Sequence, residues 1–181
     1  MYSIIINNKK EVSYSMRVCA FTGHRPDHFP FKYDESHPDC VRLKNRMLTE
    51  VINIAYAGTT LFLSGMAQGV DTWGAEIVLE MRQTCSSLRL VCVLPCADQV
   101  ANWTDEAKKR YFSILCRANR LICLHEHYTD RCMMERNRFM VDHADSLLAV
   151  CNPKIRSGST ATLHYAQAKG IPVNLIDTRK I

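Results

Sequence analysis

Apolar residues along the chain fall into short continuous runs that alternate with longer stretches in which they recur every three or four positions. The continuous runs, at 17–22, 61–63, 89–94, 120–124, 146–150 and 172–176, read as strands. The periodic stretches, at 41–56, 70–83, 105–118, 131–144 and 159–169, read as helices. In the first of these Val41, Leu48, Val51, Ile52 and Ala55 share a face. In the third Ala107, Tyr111, Ile114, Leu115 and Ala118 do, and Gly170 stops the last. Strand and helix thus alternate five times, and a strand closes the series. Continuously apolar strands suit a mainly parallel sheet covered on both faces. Right-handed crossovers make that sheet doubly wound, and the fold class is α/β. Residues 1–15 fall outside the alternation and read either as an edge strand at 2–7 or as a mobile tail.

The length of 181 residues suits one domain over 16–181, and a core of that size needs no disulfides. No apolar run reaches the ~18 residues of a membrane span, and the first ten residues lack a cleavage site, so neither a membrane partner nor a secretory signal is expected. Nine scattered cysteines, among them Cys19, Cys92, Cys123 and Cys151 within strand-like runs, read as reduced thiols serving as small hydrophobes in the cytoplasm. Cys92 and Cys96 with His125 and His127 raise the thought of zinc. The spacing lacks a second finger-like pair, so no metal is expected. A net charge of +5 permits anionic ligands without specifying one.

In a doubly wound sheet, ligands bind beyond the carboxyl ends of the strands, which directs attention to the strand-to-helix loops. Four are unusual in composition. Thr22-Gly23-His24-Arg25-Pro26 offers a sharp turn and a forked cation, or simply a turn with a surface arginine. Ser64-Gly65-Met66-Ala67-Gln68-Gly69-Val70-Asp71 places small residues at a helix start, where exposed N–H groups favour an anion. Asp71 there reads equally as a cap, and Glu76 as a solvent-facing residue. Glu135-Arg136-Asn137-Arg138 brings two cations and an amide near the same edge, or forms a solvated helix face. Arg156-Ser157-Gly158-Ser159-Thr160 combines glycine and hydroxyls before a helix, a phosphate cradle that is also an ordinary N-cap. All four loops follow parallel strands and should open on one edge.

At these residues the chain resembles the SLOG superfamily, the Rossmann-like domains that include DprA (Smf) and the LOG phosphoribohydrolases, and within it the YpsA-like family. The resemblance spans about 17–177. It rests on GHRP at 23–26, LSGMAQGVDTWGAE at 63–76, ERNRFMVDHAD at 135–145 and SGSTATLHYAQAKGIPV at 157–173. It implies a pocket for a nucleotide or nucleotide-derived ligand of purine-nucleotide, NAD or ADP-ribose type. The pocket residues it implies are Gly23, His24, Arg25, Ser64, Gly65, Gln68, Gly69, Asp71, Glu135, Arg136, Asn137, Ser157, Gly158, Ser159 and Thr160. LOG enzymes carry PGGxGTxxE with a catalytic glutamate. Here Leu163 and His164 stand in the turn where that acid would fall, so Asp71 or Glu76 would have to supply the carboxylate of a nucleotide N-glycosidase or phosphoribohydrolase. Single-stranded DNA binding in the manner of DprA would engage Arg25, Arg136, Arg138, Lys154 and Arg156, but basic clustering is weak. Binding or sensing of a nucleotide is the expected function, with Tyr33 and Trp103 as candidate stacking partners. The resemblance also allows a homo-oligomer.

Overall fold

In a computed structural model that describes residues 16–181, strands and helices alternate from β1 (Arg17–Gly23) to β6 (Val173–Asp177). Between them lie α1 (Pro38–Tyr56), β2 (Thr59–Ser64), α2 (Val70–Met81), β3 (Arg89–Leu94), α3 (Asp105–Arg117), β4 (Arg120–Cys123), α4 (Cys132–Asp142), β5 (Ser146–Cys151) and α5 (Gly158–Ala168). The edge strand considered at 2–7 lies outside the described residues. The six strands form one sheet in the order β4-β3-β2-β1-β5-β6, and every neighbouring pair is parallel.

Successive strand residues point to opposite faces, and both faces are covered, which is why the central strands read as unbroken apolar runs. Phe21, Phe62, Leu90 and Leu148 pack with Met47, Trp73, Ile77 and Ile114 of α1, α2 and α3. Their neighbours Ala20, Leu63, Val91 and Ala149 pack with Met140, Val141, Leu163 and Ala166 of α4 and α5. β4 is an edge strand and largely exposed. The expectation that Cys123 is a buried small hydrophobe therefore fails, because among the described residues β4 has a strand on one side only; Cys19, Cys92 and Cys151 are buried as expected.

Strand order reverses at β1, which lies between β2 and β5. The helices after β1 and β5 lie on opposite faces, so a crevice opens between the carboxyl ends of these two strands. The segment between β1 and α1 is more ordered than its composition suggests. It holds a single 3-10 turn at Pro26–His28, and its Phe29 and Phe31 rings pack against Trp73. α1 begins earlier than its apolar period because Pro38 suits a first helical position and His37 Nδ1 accepts the Asp39 N–H at 3.1 Å. Among the described residues, no helix is long and apolar enough to cross a membrane.

Candidate functional site

The crevice at the strand reversal is a cleft of about 390 Å³. Its walls bring together Arg25 from the β1 loop, Asp71 from α2, Arg136 and Asn137 from α4, and Arg156 to Ser159 from the β5–α5 turn. α5 starts with a capping box. The Ser157 hydroxyl accepts the Thr160 N–H at 3.2 Å, and the Thr160 hydroxyl accepts the Ser157 N–H at 2.9 Å. Two N–H groups of the first turn remain, those of Gly158 and Ser159, and neither meets an acceptor among the described residues. Among the described residues a Cβ added at Gly158 would meet nothing within 4 Å, so the backbone there is open to the cleft. The Ser159 hydroxyl donates to the Gly23 carbonyl at 2.6 Å and fixes the helix start against the end of β1.

Arg136 is only 3% exposed and Asp71 only 6%, yet both line this cleft. The Arg136 guanidinium donates to the Gly65 carbonyl, and its Nε donates to Asn137 Oδ1 at 2.8 Å. A Cβ at Gly65 would overlap that guanidinium, so the closeness of arginine and backbone requires glycine. Nη1 of Arg136 lies 3.7 Å from Asp71 Oδ2, too far for a hydrogen bond but close enough for charge to matter. Burial pushes the Asp71 carboxyl up, against the pull of Arg136 and the Ala67 N–H. Burial also lowers Arg136, but a guanidinium keeps its proton at any ordinary pH. Among the described residues, Arg25 and Arg156 make no ion pair. Three arginines thus face one carboxylate, and the cleft carries an excess of positive charge.

Other expected residues support the cleft from behind. The Ser64 hydroxyl donates to the Asp71 carbonyl at 2.8 Å and accepts the Met66 N–H at 3.1 Å. Met66 adopts a left-handed backbone, φ 57°, and its carbonyl accepts from Gln99 Nε2 at 2.7 Å. Gly69 has φ +90° and lies against the His24 carbonyl, which no side chain would tolerate easily. His24 is buried and accepts the Asn152 N–H at Nε2, 2.9 Å, joining the ends of β1 and β5. Its Nδ1 then carries the proton and has no partner among the described residues. Burial, and then the neighbouring His28, hold its pKa down to about 4.

Two acidic candidates lie elsewhere. Glu135 points to His125, with Oε2 to Nε2 at 2.6 Å, and does not line the cleft. Glu76 is clamped by Arg110 through two hydrogen bonds of 2.6 Å. The same guanidinium holds Glu35 at 2.5 and 3.1 Å, and Glu35 also accepts from Trp73 and Lys44. Burial alone would raise the Glu35 carboxyl, but the bonds from Arg110, Trp73 and Lys44 outweigh it and bring it to about 2. Sequence spacing had no means of exposing this network, because Glu35, Glu76 and Arg110 come from three separate elements.

The cleft does not end at Arg25. A hollow of about 270 Å³ shares Arg25, Ala67 and Met133 with it. A further hollow of about 530 Å³ shares Pro26, Tyr33, Gln68, Asn102 and Trp103 with that one. Gln68 and Gly69 therefore belong to the extension and not to the arginine-lined part. A separate hollow of about 380 Å³ lies at the amino ends of the strands. It is a poorer candidate, since Arg17 there is bound to the Ala57 carbonyl and Asp145 to the Val18 N–H. Among the described residues, no three His, Cys, Asp or Glu side chains gather as a metal site would require.

The YpsA family model, described as the YspA SLOG family, matches residues 19–181. The chain belongs to this SLOG family. Its similarity to named YpsA-type proteins extends along most of its length. It is 25% identical over 170 residues to the UPF0398 protein YpsA of Bacillus subtilis strain 168, covering 89% of this chain and 92% of that one. A UPF0398 protein of Bacillus cereus strain ATCC 14579 is 27% identical over 158 residues, covering 86% and 85%. One from Bacillus pumilus strain SAFR-032 is 28% identical over 142 residues, covering 77% and 75%. The matched span includes every loop that builds the cleft of this SLOG chain.

Proposed function

We propose that the chain binds a nucleotide or nucleotide-derived ligand, with a phosphate seated at the start of α5. One observation carries this reading: the unpartnered N–H groups of Gly158 and Ser159 open onto a cleft that three arginines line. Amides at a helix start and forked cations are complementary to phosphate oxygens in both charge and geometry. The Ser157–Thr160 box leaves these amides free while holding the turn rigid, so little ordering is needed on binding. The experiment is a melting series with AMP, ADP, ADP-ribose and NAD. Ligand at about a hundred times its Kd adds ~2.7 kcal/mol. For a domain of this size the melting temperature then rises by roughly 5–10 °C. Gly158→Val should remove most of that rise, because a branched side chain fills the space a phosphate would occupy. No shift with any of the four, beside tight and salt-sensitive binding of single-stranded DNA, would favour the DNA reading instead.

A second reading, hydrolysis of the bound nucleotide, draws on Asp71. It is a buried carboxylate in the cleft, and burial raises its pKa, as suits a group that must hold a proton. Release of free base or ribose phosphate by the wild type, abolished in Asp71→Asn, would support it.

A further inference from the structure

The extension of the cleft has a different chemistry from its arginine-lined end. We infer that the hollow between Tyr33 and Trp103 receives the planar base of the ligand, so that the chain recognises a nucleoside diphosphate or its ester at two separated ends. This rests on the phosphate reading above.

Tyr33 and Trp103 are the two aromatic residues among the five that line both the middle and the far hollow. Tyr33 is 58% exposed, and its hydroxyl makes one long bond, 3.3 Å, to Asp27. Trp103 is braced from behind by an edge-to-face contact with the buried Tyr111, ring centroids 5.5 Å apart at 79°. That contact settles one side of the indole, while the residue still borders two hollows. Around the rings the hydrogen-bonding side chains Gln68, Asn102 and Thr104 share the lining with the carboxylates Glu35 and Glu106, which disfavour a phosphate there. Arg110 also lines the far hollow, but Glu35 and Glu76 both accept from its guanidinium and offset its charge. One end of the trough therefore suits anionic oxygens and the other a flat polar ring. Arg25 borders both the cleft and the middle hollow, in position to meet whatever connects them.

The test is a titration of the intact protein with pyrophosphate and with ADP, followed by calorimetry and by tryptophan fluorescence. The chain has two tryptophans. Trp73 is buried and bonded to Glu35, so a change on binding reports mainly Trp103. ADP should bind about ten-fold or more tightly than pyrophosphate, as stacking of one base implies. ADP should also quench the fluorescence, and pyrophosphate should not. In Trp103→Leu the two dissociation constants should converge. Tyr33→Ala, at an exposed position, should bring them closer and serves if the first variant folds poorly. Equal affinities in the wild type, or an ADP advantage that survives both variants, would overturn the inference while leaving the phosphate seat intact. ADP binding that quenches Trp103 but is indifferent to Gly158→Val would instead overturn the phosphate seat and keep the ring site. Absence of binding by both compounds would overturn both.

Discussion

Gly158 borders the cleft and Gly65 holds Arg136 from behind it, and replacing each should weaken pyrophosphate while only the second costs stability. At Gly65 a methyl group would overlap the Arg136 guanidinium, which is itself buried and bonded to the Gly65 carbonyl. The guanidinium ends a flexible side chain, but burial and its bonds hold it, and moving it breaks its bond to Gly65 and its approach to Asp71. Overpacking of a tight site costs about 1–3 kcal/mol, and separating a buried ion pair costs about 3–5 kcal/mol. The Arg136–Asp71 pair is loose at 3.7 Å, so the lower ends of these ranges apply, about 4 kcal/mol in all. Gly65→Ala should then melt roughly 8–16 °C below the wild type. It should also bind pyrophosphate weakly, because Arg136 has left its seat. At Gly158 an added side chain meets only open space, so Gly158→Val should change stability by no more than about 0.5 kcal/mol while sharply weakening pyrophosphate. Urea denaturation gives the stability of both variants, and calorimetry gives the affinity. A Gly65→Ala protein as stable as the wild type would refute the argument from close approach. A Gly158→Val protein that binds as the wild type does would refute the argument from open backbone.

Among the described residues Asp71 is the one carboxylate lining the arginine-lined cleft, so Asp71→Asn should tighten pyrophosphate binding, and a calorimetric Kd that weakens instead would contradict the electrostatic picture. His24 goes from 6.5 to about 4 on folding, so between these values the unfolded chain takes up a proton that the folded chain does not. Its contribution to stability is therefore full above pH 6.5 and lost as pH falls towards 4, by about 3 kcal/mol at most; urea midpoints across that range in wild type and His24→Gln should show a steeper fall in the wild type. Cys85, Cys116 and Cys123 are exposed and the other six cysteines buried, so a thiol reagent should modify three groups rapidly in the folded protein and the rest only after unfolding.

The strands and helices were legible because their periods differ, and the parallel sheet because β1, β3 and β5 lack polar alternation. The strand order, with β1 between β2 and β5, followed from no local signal. The four loops were visible as composition, and three of them meet at the cleft with Ala67 and Asp71 of the second. What composition did not separate was lining from support. Ser64 and Thr160 carry hydroxyls that suit a phosphate, yet both donate to backbone carbonyls beneath the cleft. Glu135 sits next to Arg136 in sequence, but adjacent helical residues point about 100° apart, and it turns outward to His125. The Glu35–Arg110–Glu76 clamp was invisible because no spacing along the chain joins three elements that meet only in space.

The central claim is that the Gly158 and Ser159 amides await a phosphate. The most direct measurement is a pair of amide nitrogen–proton NMR spectra of the isotope-labelled protein, without and with ADP. The resonances of Gly158 and Ser159 should move downfield as their protons gain an acceptor, together with shifts at Arg25 and Arg136. Unmoved amides at 158 and 159, with shifts gathered instead around Arg17, Asn53 and Asn174 at the amino edge, would contradict it.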